Sequence, residues 1–249
     1  MQLKKSNNCS LFLTAGYPHK KSALEIVPEL EAAGVDLIEL GIPFSDPLAD
    51  GTVIQQSSAI ALKNGMNIDL IFEQLIELKG NTKTPIVLMG YFNPVYKYGL
   101  ERFLKRCAEL GVDGLIIPDL TIEVYEENYL ELFEKYQVPL VFLITPNTPE
   151  PRIRRIEKQS KAFIYLVSSS AITGGNAPFG EAQKEGFERI KAMALSVPVL
   201  VGFGIHNKAT FDFVCDYFDG AIIGSAFIKS LEKGTAPKDF VNTLIQGEY

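Results

Sequence analysis

Short apolar runs alternate with longer amphipathic stretches along the whole chain. The runs occupy residues 9–14, 35–40, 85–90, 114–117, 139–144, 162–167, 198–201 and 220–223. Most are unbroken Val, Ile, Leu or Phe rather than polar–apolar alternations, the pattern of strands buried on both faces in a parallel sheet. Between them, residues 22–33 carry Ala23, Ile26, Val27, Leu30 and Ala33 at helical spacing, and residues 100–110 repeat the pattern with Phe103, Leu104, Cys107 and Leu110. Further helices are expected at 54–63, 70–79, 124–135, 151–159, 183–194, 208–217 and 239–245.

Several helices run into a glycine-containing turn before the next strand, as at Gly34, Gly111 and Gly220. Such a glycine can take the left-handed conformation that ends a helix. Two strand entries repeat closely, Asp113-Gly114-Leu115-Ile116-Ile117 and Asp219-Gly220-Ala221-Ile222-Ile223, which hints at a repeated βα module. No linker or low-complexity stretch divides the 249 residues. Eight strand–helix units in this length predict one α/β domain over residues 1–249, a (β/α)8 TIM barrel, with an open doubly wound sheet as the competitor.

Composition narrows the function classes. The chain is 47% hydrophobic and carries a net charge of −6, from 24 basic and 30 acidic residues. No basic block marks a nucleic-acid footprint, so an anionic ligand is expected to be small and held locally. Cys9, Cys107 and Cys215 are odd in number and far apart, which argues against a disulfide framework and against a zinc site. No apolar run approaches the roughly 20 residues that span a bilayer. The opening residues also lack a signal peptide's apolar region. A soluble, cytoplasmic protein with no membrane partner is expected.

Barrel chemistry gathers at the carboxyl ends of the strands. Glu39 ends an otherwise apolar run, so it is either salt-bridged or a buried acid with a raised pKa, suited to proton donation. The loop from Gly41 to Gly51 holds Asp46 and Asp50. Asp50 either caps the following helix or joins Glu39 as a second carboxylate at the barrel mouth. Three late glycine corners, Thr173-Gly174-Gly175, Gly202-Phe203-Gly204 and Gly224-Ser225-Ala226, suit a phosphate, with Ser225 opening a short helix whose N-terminus attracts it. Residues 168–181 are small and polar, as a lid would be. Tyr165 either directs its hydroxyl into the site or fills the core. His19 and His206 provide too few ligands for a metal, and neither is assigned a catalytic role.

The string from Glu39 through Leu40-Gly41-Ile42-Pro43-Phe44-Ser45-Asp46-Pro47-Leu48-Ala49-Asp50-Gly51 closely resembles the signature of the tryptophan synthase α-subunit family. Supporting similarities run from about residue 9 to the end. They include Phe12-Leu13-Thr14-Ala15-Gly16-Tyr17-Pro18, Met89-Gly90-Tyr91-Phe92-Asn93-Pro94, Ile117-Pro118-Asp119-Leu120 and Tyr165-Leu166-Val167-Ser168.

The resemblance implies retro-aldol cleavage of indole-3-glycerol phosphate to indole and glyceraldehyde 3-phosphate, with no metal or organic cofactor. By it, Glu39 matches the acid at indole C3, and Asp50 the group that holds the indole N–H. Tyr165 matches a tyrosine beside the acid, and Thr173 a lid threonine. Gly174, Phe203, Gly204, Gly224 and Ser225 fall on the phosphate positions, and Phe12, Met89 and Ile116 on the indole pocket.

The resemblance also implies a β subunit as partner, in an α2β2 heterotetramer, facing residues 43–46 and 91–94. The chain departs from the family at Ser169 and Ala171, where an arginine and a glycine are usual, and at Thr52 and Ile60, where a proline and an arginine occur. It also has few residues ahead of the first strand, where the family places a helix. A stand-alone lyase releasing free indole, another phosphosugar-handling barrel, and an inactive regulatory subunit are the competing readings.

Overall fold

The computed structural model describes residues 1, 3–168 and 179–247. Eight strands appear where the apolar runs lie: β1 (Asn8–Thr14), β2 (Leu37–Gly41), β3 (Ile86–Met89), β4 (Gly114–Ile116), β5 (Leu140–Ile144), β6 (Ile164–Val167), β7 (Val199–Gly202) and β8 (Gly220–Ile223). Each pairs in parallel with its sequence neighbours, and β8 returns to β1 from Asn8↔Gly220 to Leu11↔Ile223. The sheet is therefore a closed barrel, not the open sheet that competed with it.

Closure sorts the strand residues by parity, because successive side chains point to opposite faces. Leu37, Val87, Ile116, Val141, Phe163, Tyr165, Leu200 and Ile222 form one cluster inside the barrel. Their sequence neighbours, such as Ile38, Leu88, Leu115, Phe142, Ile164, Val201 and Ile223, join the cluster shared with the surrounding helices. Both faces are buried, which is why the runs read as continuously apolar.

The repeated Asp-led strand entries have a common geometry at the amino-terminal end of the barrel. The Cys9 N–H donates to Asp36 Oδ2 at 3.0 Å while the Asp36 N–H donates to Cys9 O at 2.9 Å. Ile86 and Asp113 repeat the ring at 3.0 and 2.9 Å. Val199 and Asp219 repeat it again at 2.8 and 3.1 Å. Each aspartate thus satisfies an N–H at the start of the strand before its own and fixes the register of the pair.

Gly34 and Gly111 do take left-handed φ values of 86° and 71°. Gly220 does not. It begins β8, and a Cβ there would stand 2.3 Å from Asn8 O, so the requirement is close strand approach rather than a turn. The helix expected at 124–135 is two, Ile122–Asn128 and Leu130–Tyr136, broken at Tyr129, whose φ is −130°. At the break the Tyr129 ring packs 5.2 Å from Phe92, while Tyr125 meets both Phe133 and Phe142. A further helix, Phe92–Tyr98, lies where no helix was expected. Ser225 opens the short helix Ser225–Glu232, as anticipated. Among the described residues no helix is long and apolar enough to cross a membrane.

Replacing Asp219 by Ala leaves the Val199 N–H without its acceptor at a closed end of the barrel. The expected loss is about 1–3 kcal/mol in urea unfolding, with Asp219→Asn milder because it keeps an acceptor oxygen.

Candidate active site

Glu39 stands on the inner face of β2, two residues past Leu37, and is fully buried. Its Oε1 accepts a hydrogen bond from Ser10 Oγ at 2.9 Å, across the β1–β2 pair. Its Oε2 has no partner among the described residues. Among the described residues no cation acts on the group: burial pushes its pKa up to about 8, and the Ser10 hydrogen bond opposes the shift. The salt-bridge alternative is thereby displaced, and Glu39 is a protonated acid at neutral pH.

Asp50 closes the loop after β2 and is half-buried. Gly51, not Asp50, occupies the cap position of the helix Thr52–Lys63, with no side-chain cap bond, so the capping alternative fails. The Asp50 carboxylate instead accepts from the Tyr91 hydroxyl at 3.1 Å. The same hydroxyl oxygen accepts the Ala49 N–H at 2.9 Å, so one phenol fixes both the loop and its carboxylate. Burial raises the Asp50 pKa, and the Tyr91 hydrogen bond acts against it.

Both carboxyl groups line one cavity of about 240 Å³ at the carboxyl end of the barrel. Phe12, Met89 and Tyr165 share its wall, and Phe203, Gly204, Gly224 and Ser225 complete it from the ends of β7 and β8. Nine of the sequence-derived candidates, Glu39 and Asp50 included, thus converge on one opening. Ile116 does not line it. It is fully enclosed in the barrel interior, in the cluster against which Met89 packs. Thr173 and Gly174 lie outside the described residues, as does most of the expected lid.

Two aromatic walls rest on glycines of the neighbouring strand. A Cβ on Gly41 would fall 2.4 Å from Phe12 Cζ, and one on Gly202 would fall 2.0 Å from the Tyr165 hydroxyl oxygen. Each ring leans from its own strand over the residue two places beyond its register partner: Phe12 pairs with Glu39, and Tyr165 with Leu200. Gly202, expected as part of an anion corner, is therefore the seat of Tyr165. The Tyr165 hydroxyl is buried and held far from ionisation by that burial, then by the charges of Glu39 and Asp50.

Beyond Gly202 the chain turns through Phe203 at a φ of 70°. That backbone costs an L-residue on the order of 1–2 kcal/mol, so the surroundings must hold it. Ser10 and Gly41 were not singled out as functional in the sequence, while Ser168 was read only as the start of a lid and Gly202 only as part of an anion corner. A signal existed for Ser10, a polar residue inside an apolar run and at the same parity as Phe12. For Tyr91 the motif was visible but was assigned to a partner-facing surface.

Comparison with known proteins places the chain in a family and agrees with this fold. A sequence model of the family described as tryptophan synthase alpha chain matches residues 1–246. The tryptophan synthase alpha chain of Flavobacterium psychrophilum is 53% identical over 222 residues, covering 89% of this chain and 88% of that one. That of Flavobacterium johnsoniae is 52% identical over 229 residues, covering 92% and 90%. Among solved structures, the alpha subunit from Campylobacter jejuni superposes with a TM-score of 0.86 at 30% identity, covering 99% of this chain and 97% of that one. A chain of the tryptophan synthase complex from Pyrococcus furiosus does so with 0.84 at 33%, covering 98% and 99%.

Two outcomes follow from the site's packing and burial. In Gly202→Ala the Tyr165 ring must leave its seat, and a crystal structure is expected to show it rotated into the cavity, with about 1–3 kcal/mol lost to overpacking. Glu39 binds its proton more tightly folded than unfolded, so its contribution to stability is present below pH 4.5 and is lost as pH rises through about 8. Urea titrations of Glu39→Gln across that range are expected to gain on wild type as pH rises, then level off above it.

Proposed function

Since the chain belongs to the tryptophan synthase alpha chain family, which cleaves indole-3-glycerol phosphate to indole and glyceraldehyde 3-phosphate for the beta subunit, we propose that Glu39 and Asp50 carry that reaction here. The observation behind this reading is a fully buried, uncompensated carboxyl group facing a cavity that a second carboxylate shares.

The chemistry assigns the two groups different work. The bond from indole C3 to the glycerol carbon cannot break while the ring is aromatic. Glu39, protonated, delivers its proton to C3 and leaves an indolenine-like cation. Asp50 accepts the hydrogen bond of the indole N–H and stabilises that charge. The Glu39 carboxylate then takes the proton of the adjacent glycerol hydroxyl. As the C–C bond breaks, its electron pair restores the aromatic ring and the carbinol carbon becomes the aldehyde. Glu39 ends protonated, as it began. Phe12 and Met89 bound the apolar part of the pocket where the ring lies. Tyr165, kept neutral, packs beside the acid.

The phosphate belongs at the far rim. The backbone N–H groups of Phe203, Gly204, Gly224 and Ser225 have no acceptor among the described residues, and Ser225 begins a helix, whose first amides favour an anion. A Cβ on Gly224 would meet nothing closer than Phe12 Cβ at 3.5 Å, so the protein itself does not require glycine there. The open space suits a ligand's approach.

Docking of a beta subunit at the barrel mouth is supported by Leu48, which is 93% exposed on the loop that carries Asp50, and by Tyr96, which is 62% exposed on the neighbouring helix. Ser45, Asp46 and Asn93 are the exposed members of the two stretches assigned to that face, whereas Pro43 and Tyr91 are buried behind it. An α2β2 assembly and a cytoplasmic location follow the family reading.

Glu39→Gln is expected to lower kcat for indole-3-glycerol phosphate cleavage by roughly 10²–10⁴, as loss of a general acid–base does. Asp50→Asn is expected to lower it by about 10²–10³, as loss of an electrostatic stabiliser does. Wild-type kcat should fall as pH rises through about 8, where Glu39 loses its proton. Added beta subunit should raise turnover; activity indifferent to it would make the chain a stand-alone lyase. Full activity in Glu39→Gln would overturn the assignment.

A further inference from the structure

The corner after β7 passes through two successive left-handed residues, Phe203 at a φ of 70° and Gly204 at 79°. All three carbonyls around it are tied back. Gly202 O accepts from both the N–H and the Oγ of Ser168, each at 3.0 Å. Phe203 O accepts from the same Oγ at 2.5 Å, so one hydroxyl proton is shared between adjacent carbonyls. Gly204 O lies 2.9 Å from His206 Nδ1. A carbonyl only accepts, so Nδ1 carries the proton, whatever the state of Nε2.

The N–H groups of Phe203 and Gly204 have no such ties among the described residues. Successive amides in a left-handed turn form a concavity for an anion. Neither Ser168 nor His206 lines the cavity. Ser168 is buried behind the corner and His206 is exposed outside it.

We propose that Ser168 and His206 are positioning residues: by holding the carbonyls of the 202–204 corner away from the cavity, they keep its two amides aimed at the substrate's phosphate. The corner has two clamps because Phe203, unlike a glycine, resists the left-handed conformation. This inference rests on the reading that the phosphate sits at the rim formed by β7 and β8.

The test uses inorganic phosphate and indole as separate probes of the whole chain, by amide NMR and calorimetry. In wild type, phosphate is expected to shift the amide signals of Phe203, Gly204, Gly224 and Ser225. Ser168→Ala and His206→Ala should each weaken phosphate binding about tenfold, the worth of one hydrogen bond, and raise KM for indole-3-glycerol phosphate more than they lower kcat. Indole binding should be unchanged. His206→Asn, which places an amide N–H near the position of Nδ1–H, should restore phosphate affinity. Absence of any shift at the rim in wild type would sink the phosphate assignment itself. Rim shifts with phosphate affinity untouched in both alanine variants would refute the positioning role alone. Equal losses for indole and phosphate would also refute it, by reducing the two side chains to general structural support.

Discussion

A carboxyl group enclosed by a parallel barrel must find a counter-ion or keep its proton, and Glu39 keeps its proton. Parity sends residue 39 inward, and closure removes water from it. The one group the neighbouring strand offers is the Ser10 hydroxyl, which donates to the oxygen that it meets. That single hydrogen bond is too weak an inducement to ionise against full burial. The group is held loaded in the wall of the cavity, with its second oxygen unengaged among the described residues. An arginine in place of Ser10 would have produced a silent ion pair from the same glutamate. The acid is thus a property of what its neighbour lacks.

The walls around that acid depend on strand order in a second way. Phe12 and Tyr165 stand on β1 and β6, and each leans over a glycine on the next strand, Gly41 or Gly202. A large ring at the mouth of a barrel must either fill the opening or lie flat against its rim. Removing one Cβ from the adjacent strand lets it lie flat. The cavity of about 240 Å³ exists because two side chains are absent. The same rim carries the strained Phe203, whose ring packs edge-on to Tyr165 with centroids 6.4 Å apart. Local backbone cost at the rim and open volume at the centre are therefore linked.

Most of this fold was legible because parallel strands buried on both faces leave uninterrupted apolar runs, and all eight runs became strands. What escaped had specific causes. The break at Tyr129 follows no proline or glycine, and the periodicity of 124–135 continues across it, so only packing against Phe92 marks it. Helix Phe92–Tyr98 is short and aromatic, with a proline in its first turn, and reads as loop. Glu39 and Asp50 were visible as carboxylates in unusual company, but their alternatives as a salt bridge and a helix cap depended on neighbours far away in sequence. Ser10 and Tyr91, separated from them by 29 and 41 residues, decide the matter. The glycine corners were recognised as a group, yet Gly202 serves a ring rather than an anion, a distinction that strand register alone determines. Ile116 is Met89's register partner on β4, yet it is fully buried and does not line the cavity, which the run of apolar residues could not show.

Among the described residues that line the cavity, none is lysine or arginine, while two carry carboxyl groups. A phosphorylated substrate entering such a site meets no cation and one carboxylate, provided that Glu39 is neutral. Were Glu39 ionised, two anions would face the phosphate across a low-dielectric space, where charges interact far more strongly than in water. On the proposed roles, burial of Glu39 serves binding as well as proton transfer. On the proposed reading the phosphate is left to the N–H groups at the β7–β8 rim, whose partial charges are fixed by backbone geometry and need no mobile side chain. With those roles, acid and anion are held by different strands around one cavity, β2 for the one and β7 with β8 for the other. On that reading the cavity suits an aromatic ring near the acid and a phosphate at the rim, joined by a short polar chain whose first carbon carries the bond to be broken.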